Sequence, residues 1–219
     1  MWFLDPRIRL PQFLKVFFPG ALWTGLAAGN RIYLTFDDGP VPEVTPWVLR
    51  LLKEEGIKAC FFCVGENVVR YPDLYRQILD EGHLTGNHTY NHLQGLRTGT
   101  REFLENVDQA AALIHSRFFR PPHGLLKISQ HKQLRRKYKV VMWDLVSCDY
   151  NQSLSPEVVA GNVMENVRPG SVIIFHDSCK AKKNLYAALP VVIRELKERG
   201  YRFGTLDDSV EVNVKEEEI

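Results

Sequence analysis

From Arg31 onward, short runs of β-branched and aromatic residues alternate with longer stretches in which apolar positions recur three and four residues apart. The short runs predict seven strands, at 31–36, 59–64, 83–87, 117–120, 140–146, 171–176 and 201–206. Helical patterns fill the intervals at 45–55, stopped by Gly56, at 73–81, stopped by Gly82, and at 101–116. Ser155-Pro156-Glu157 reads as an N-cap followed by proline at the first helical position, and 190–199 as a helix opened by Pro190 and closed by Gly200. Successive strand starts lie 23–34 residues apart, the length of a strand plus a crossover helix. An α/β fold with parallel strands follows.

Composition narrows this further. At roughly 150 residues per domain, 219 residues make one domain with decoration, and a chain 45% apolar and 25% charged is neither disordered nor collagenous. A net charge of +2 gives no electrostatic reason for a nucleic-acid partner. Four cysteines are too few for a disulfide scaffold, and the pair Cys60 and Cys63 sits in an apolar run where a strand would point positions i and i+3 to opposite faces. The uncharged run 16–30 has 15 residues and four glycine or proline breaks, too short and broken to span a bilayer. Residues 1–30 are therefore expected to form an N-terminal arm on a domain at 31–206, with 207–219 an acidic tail. Arg7, Arg9 and Lys15 ahead of that run also fit a poor secretory signal, so the location stays open between the cell envelope or periplasm and the cytoplasm.

Parallel α/β proteins gather their chemistry at the C-terminal ends of the strands, where the following loops converge. Five predicted strand ends carry suitable groups: Thr35-Phe36-Asp37-Asp38-Gly39, His88-Thr89-Tyr90-Asn91-His92, Arg120-Pro121-Pro122-His123-Gly124, Asp149-Tyr150 and His176-Asp177. Adjacent carboxylates at a strand end point apart and so imply two separate roles. His88 and His92, spaced i, i+4, would share one face of a helical turn and grip one cation, which an aspartate could complete as a facial site with open positions. Each signal alone is weak, since Asp-Asp-Gly-Pro is commonly a turn, Arg120 can be a loop residue and His176-Asp177 a capping pair. Their convergence at one end of the sheet points to a metal-dependent site.

These five segments, in this order, resemble the motifs of the polysaccharide deacetylases of carbohydrate esterase family 4, the NodB-homology domain, over residues 31 to 206. The resemblance implies a distorted (β/α) barrel of about seven parallel strands. It also implies Asp37 as general base oriented by Arg120, and Asp38, His88 and His92 as ligands to a divalent metal, zinc first and cobalt or nickel as alternatives. His176 would be the general acid, tuned by Asp149, and Pro122, His123, Tyr150 and Ile174 would contact the substrate. The implied substrate is an N-acetylated oligo- or polysaccharide, handled by a monomer that cleaves an acetamide. An O-acetyl esterase of xylan type on the same fold, and a glycan-binding module with a decayed site, are the other two readings.

The chain departs from the family at several positions. His123 stands where tyrosine is common, Tyr150 where tryptophan is usual, Val146 where aspartate is frequent and Ile174 where leucine is usual. None is a metal ligand or proton carrier. His83 is expected to be a hydrogen-bonded structural histidine, and His115 and His131 to lie on the surface. Lys180, Lys182 and Lys183 are expected either to rim the active face or to form a solvated basic loop. Short loops after the strands predict an open groove suited to a polymer.

Overall fold

The computed structural model describes residues 8–9 and 12–210. Its strands are β1 (Arg31–Asp37), β2 (Cys60–Cys63), β3 (Leu84–Asn87), β4 (Phe118–Phe119), β5 (Lys139–Val140), β6 (Leu145–Val146), β7 (Val172–His176) and β8 (Arg202–Gly204). Its helices are α1 (Thr45–Glu54), α2 (Gly65–Arg70), α3 (Pro72–Asp80), α4 (Thr100–Ala111), α5 (Ile128–Leu134), α6 (Pro156–Met164), α7 (Lys182–Glu198) and α8 (Leu206–Val210). The sheet runs β5-β4-β3-β2-β1-β7-β6 with every pairing parallel, and β8 pairs with the first half of β1.

Period-two alternation sorts each strand between two environments. Ile32, Leu34 and Phe36 of β1, Phe61 and Cys63 of β2, and Ile173 and Phe175 of β7 belong to the main core together with helical residues such as Leu49, Leu52, Leu189 and Ile193. The alternate residues Tyr33, Cys60, Phe62 and Val172 form a second cluster on the other face, inside the curl of the sheet. Cys60 and Cys63 thus lie on opposite faces, both buried and unpaired, as the strand parity requires. The helical core is filled to the point that Leu49, Leu52, Phe36 and Phe175 have no exposed surface.

The run expected as one strand at 140–146 is two short ladders. Its start, β5, pairs with β4 at one end of the sheet order, and its finish, β6, pairs with β7 at the other. One extended segment therefore bridges the two edges of the curled sheet. Between the ladders the Val141 N–H still donates to the Phe119 carbonyl (2.8 Å), while the Met142 N–H donates to Leu22 (2.7 Å) and the Leu22 N–H to Val140 (2.8 Å). The N-terminal arm thereby fills the seam that twist prevents the strands from closing. Next to it the buried Asp144 carboxylate accepts from Arg9 (3.0 Å), twice from Arg168 (3.1 and 2.6 Å) and from the Ser171 hydroxyl (2.7 Å). The expected tail, 207–219, begins inside α8, and its residues 211–219, with most of the first eleven residues, lie outside the described residues.

Three local expectations change. Pro190 lies inside α7 rather than opening it. An interior proline costs roughly 3 kcal/mol, but the helix buries Leu185, Ala188, Leu189, Val192, Ile193 and Leu196 along one stripe, which outweighs that cost. The helix expected to reach residue 116 ends at Ala111, where Leu113 and Ile114 turn back onto Ala110. His131 is buried, not on the surface, because one of its ring nitrogens meets the Pro19 carbonyl of the arm (3.0 Å). His83 behaves as expected: it is buried, and its Nδ1 accepts from the Ala59 N–H (3.2 Å).

Replacing Asp144 with alanine strips the Arg9 and Arg168 guanidinium groups and the Ser171 hydroxyl of a shared buried acceptor. We expect Asp144→Ala to lower unfolding stability by about 3 kcal/mol, read as a fall in the urea midpoint at unchanged slope.

Candidate active site

The alternation that builds the core also aims the polar groups. Tyr33, Thr35 and Asp37 occupy the inner face of β1, and Val172, Ile174 and His176 the inner face of β7. Asp37 and His176 are register partners on these adjacent strands, so a carboxylate and an imidazole project side by side into the barrel mouth. Arg120, at the end of β4 and fully buried, crosses the interior to meet them. Its Nη1 donates to Asp37 Oδ1 (2.6 Å) and to Thr35 Oγ1 (2.9 Å), while Nη2 and Nε donate to the carbonyls of Met142 (3.0 Å) and Val141 (3.3 Å). The guanidinium also lies 4.0 Å from the Phe62 ring centroid.

Asp38 follows in a left-handed conformation (φ 83°), which turns its side chain away from that of Asp37. Buried Asp177 holds this turn: its carboxylate accepts from the Gly39 N–H (3.1 Å) and contacts the Thr45 hydroxyl (2.6 Å), and its N–H donates to the Asp37 carbonyl (3.1 Å). Asn67 Nδ2 donates to the Asp38 carbonyl (2.8 Å) from the other side. Sequence reading treated Asp177 only as a capping residue, since nothing in the order of residues shows that it reaches back to the first strand. Burial pushes its carboxyl up to about 8.

His88 and His92 do not share a helical turn. The chain after β3 is a loop in which Thr89 and His92 both take positive φ (66° and 58°). The rings nevertheless converge, with centroids 5.1 Å apart. Asp38 Oδ1 lies 3.2 Å from His92 Nε2 and 3.7 Å from His88 Nε2, and the three donor atoms fall within 4.8 Å of one another. Tetrahedral ligands at about 2.0–2.1 Å from an ion stand about 3.4 Å apart, so the set fits one small cation. His88 Nδ1 is paired with the Arg120 carbonyl (2.7 Å), a contact that requires a proton there and leaves Nε2 with its lone pair directed at the cluster. Burial lowers His88 to about 4, so the ring is neutral and able to ligate at pH 7. Burial opposes ionisation of Asp38, but the His92 hydrogen bond and the neighbouring imidazoles hold it well below the usual carboxylate range.

On β7, the His176 N–H and Nδ1 both meet the fully buried Asp149 carboxylate, at 2.8 and 2.7 Å. Burial opposes charge on His176, yet the Asp149 carboxylate outweighs it and holds the imidazole up at about 9. Tyr150 packs edge-on against this ring, with centroids 5.1 Å apart at 81°. These groups share one cavity of about 440 Å³ that Asp37, Asp38, His88, His92, Arg120, His123, Tyr150, Ile174 and His176 all line. It opens past His123, Tyr150 and Lys180, which are exposed or half-buried. Of the expected substrate contacts, Pro122 is not among the lining residues; it is buried, and Pro121 takes its place. Trp143 is a wall that sequence reading missed, because the all-apolar run Val140-Val141-Met142-Trp143 carries no alternation to say which residues face inward. A Cβ on Gly124, itself at φ 67°, would fall 1.9 Å from the Trp143 ring, so that glycine is what lets the indole lie against the loop.

The sequence model for polysaccharide deacetylases matches residues 26–141. The chain belongs to this family. Polysaccharide deacetylases are hydrolases acting on non-peptide carbon–nitrogen bonds. Two peptidoglycan-N-acetylglucosamine deacetylases of Bacillus cereus are each 34% identical, over 184 and 185 residues that cover 80% and 81% of this chain. The chain spans 66% of the first relative's length and 86% of the second's. The crystal structure of the Bc1960 peptidoglycan N-acetylglucosamine deacetylase, in complex with 4-naphthalen-1-yl-N-oxidanyl-benzamide, superposes with a TM-score of 0.82 at 31% identity, over 92% of this chain and 97% of that one. The curled parallel half-barrel is thus the family fold.

In this polysaccharide deacetylase the turn after β1 has no room for a larger residue: a Cβ on Gly39 would lie 2.0 Å from the Asp177 carboxylate. Gly39→Ala is expected to displace Asp38 and weaken zinc affinity at least about tenfold, measured by isothermal titration, with the far-UV circular dichroism unchanged.

Proposed function

We propose that the protein is a metal-dependent N-deacetylase of glycans containing N-acetylglucosamine, of peptidoglycan or chitooligosaccharide type, releasing acetate and a free amine. The observation that carries this reading is the seating of two differently tuned acid–base groups, Asp37 with Arg120 and His176 with Asp149, around one three-donor cation site. Residues 31–206 supply these groups and constitute the deacetylase domain, acting as a monomer, preceded by an N-terminal arm whose Leu22 pairs into the seam and followed by an acidic tail. The names of the relatives support an envelope location.

Asp38, His88 and His92 would hold the metal, and two imidazoles with one carboxylate leave a position open, a donor set suited to Zn2+. When bound, the ion supplies a Lewis acid that makes water nucleophilic at neutral pH and polarises the acetyl carbonyl. Asp37, aimed by its hydrogen bond from Arg120, accepts the proton of the attacking water. The oxygen of the tetrahedral species receives a main-chain N–H at His123. His176, charged at neutral pH, donates its proton to the departing nitrogen, without which an amide anion would have to leave. Asp149 fixes the Nδ1–H and leaves Nε2 as the donor toward the substrate. Tyr150, Trp143 and Ile174 wall the cavity against water.

Acetate release from chitotetraose and from peptidoglycan fragments by the zinc-loaded protein tests the reading. Asp37→Asn is expected to lower kcat by about 10²–10⁴, His88→Ala and chelation to abolish turnover, and His176→Ala to remove amide cleavage. Turnover of acetylated xylan alone, indifferent to His176→Ala, would make it an esterase instead.

The pH profile follows from His176. Its acid form must persist for catalysis, so activity falls as pH rises through its pKa, about 9 before the metal is counted. A dication adds like charge to the cavity and brings this limb to or below that value. Asp149→Asn removes the stabilising carboxylate and is expected to move the alkaline limb of kcat further down, read from a rate profile between about pH 6 and 10.

A further inference from the structure

The charged groups inside the cavity are placed: Asp37 on Arg120, His176 on Asp149, and Asp38 against the two imidazoles with which it would hold a cation. Lys180 differs. It lines the same cavity, is exposed at its rim, and has no carboxylate within ion-pair distance among the described residues. Its place is defined. The ammonium sits 5.6 Å from the centroid of Tyr150, and Tyr150 packs edge-on against His176. The backbone of this loop is tied down by Gln152 Nε2 donating to the Lys180 carbonyl (3.3 Å) and by the Ala181 N–H donating to Ser178 (3.1 Å). Lys182, two residues on, is directed elsewhere, over Tyr186 of α7 (5.6 Å).

One aromatic ring therefore separates an unanswered cation from the imidazole that protonates the leaving nitrogen. That nitrogen belongs to the sugar and not to the acetate, so a group beyond Tyr150 meets substituents of the sugar on the carbon beside the acetamido group or on the next residue of the chain. Resting on the deacetylase reading above, we propose that Lys180 recognises a carboxylate carried by the glycan. The enzyme then favours acetamido sugars with an acidic substituent, such as the lactyl ether of a peptidoglycan strand, over neutral chitin-type chains. An ammonium on a flexible stem suits a single carboxylate met at varying distance, and the Tyr150 wall shields the pair from part of the solvent that would screen it.

The test is steady-state kinetics of the zinc-loaded protein on chitotetraose, on the peptide-free N-acetylglucosaminyl–N-acetylmuramyl tetrasaccharide, and on the methyl ester of the latter's lactyl groups. We expect wild type to prefer the free acid to its ester. Lys180→Ala should lose about tenfold in kcat/KM on the acid alone, with the ester and chitotetraose within about twofold, and Lys180→Arg should restore most of the loss. Added salt at about 0.5 M should slow wild type on the acid and leave the variant indifferent. Equal kcat/KM for acid and ester in wild type, or an equal loss on all three substrates in Lys180→Ala, overturns the role of Lys180 while leaving the deacetylase reading intact. Absence of acetate from every substrate overturns both.

Discussion

A guanidinium with almost no access to water sits in the middle of the barrel, and much of the structure is arranged around it. Removing a cation from water costs several kcal/mol, which attraction to a single carboxylate repays only with good geometry and with the remaining donors satisfied. Arg120 meets both conditions: Asp37 and Thr35 answer it from β1, and the carbonyls of Val141 and Met142 answer it from the seam. A well-packed apolar residue would serve stability as well or better. What the ion pair supplies is a carboxylate fixed in position at the mouth of the barrel.

The same arginine explains why an incompletely closed barrel is tolerated. The segment joining β5 to β6 leaves carbonyls at Val141 and Met142 that no strand occupies, and a buried carbonyl without a donor is costly. Arg120 satisfies them from inside, while Leu22 pairs with the segment along its edge and Asp144 gathers Arg9, Arg168 and Ser171 beside it. Seam closure and the orientation of Asp37 are thus two ends of one hydrogen-bond network. The N-terminal arm, remote from the reacting atoms, belongs to it through Leu22.

What could be read from the sequence was whatever depends on short-range order. Strand parity put Cys60 and Cys63 on opposite faces, the strand ends gathered the polar segments, and the family those ordered segments resemble singled out Asp38, His88 and His92, which the structure brings together. Features set by distant contacts escaped it. The positive φ of Thr89 and His92 replaces the expected helical turn, because the loop must bring both rings to an aspartate from another strand. Pro190 misled because its local cost is visible in sequence whereas the buried stripe that overrides it is tertiary. His131 looked solvent-facing until the Pro19 carbonyl came to cover it. Trp143, Asp177 and the split of the 140–146 run have the same origin: each is decided by which strand lies across the barrel.

The two ion pairs show how one scaffold seats a carboxylate and an imidazole side by side, one strand apart. Asp37 and His176 are register partners, so their backbones stand at the same height and their side chains face the same space. Left alone, a buried histidine would lose its proton. Each group meets a single counter-charge reached from a different strand end: Arg120 after β4 for the aspartate, and Asp149 after β6 for the histidine, where it keeps the proton in place. The pairs cannot be interchanged, because the register fixes which inner position each strand offers and the loops fix which counter-charge arrives there. With both pairs internally neutralised, the field at the cavity mouth is left to groups outside them. Lys180, at the rim, is one of those groups.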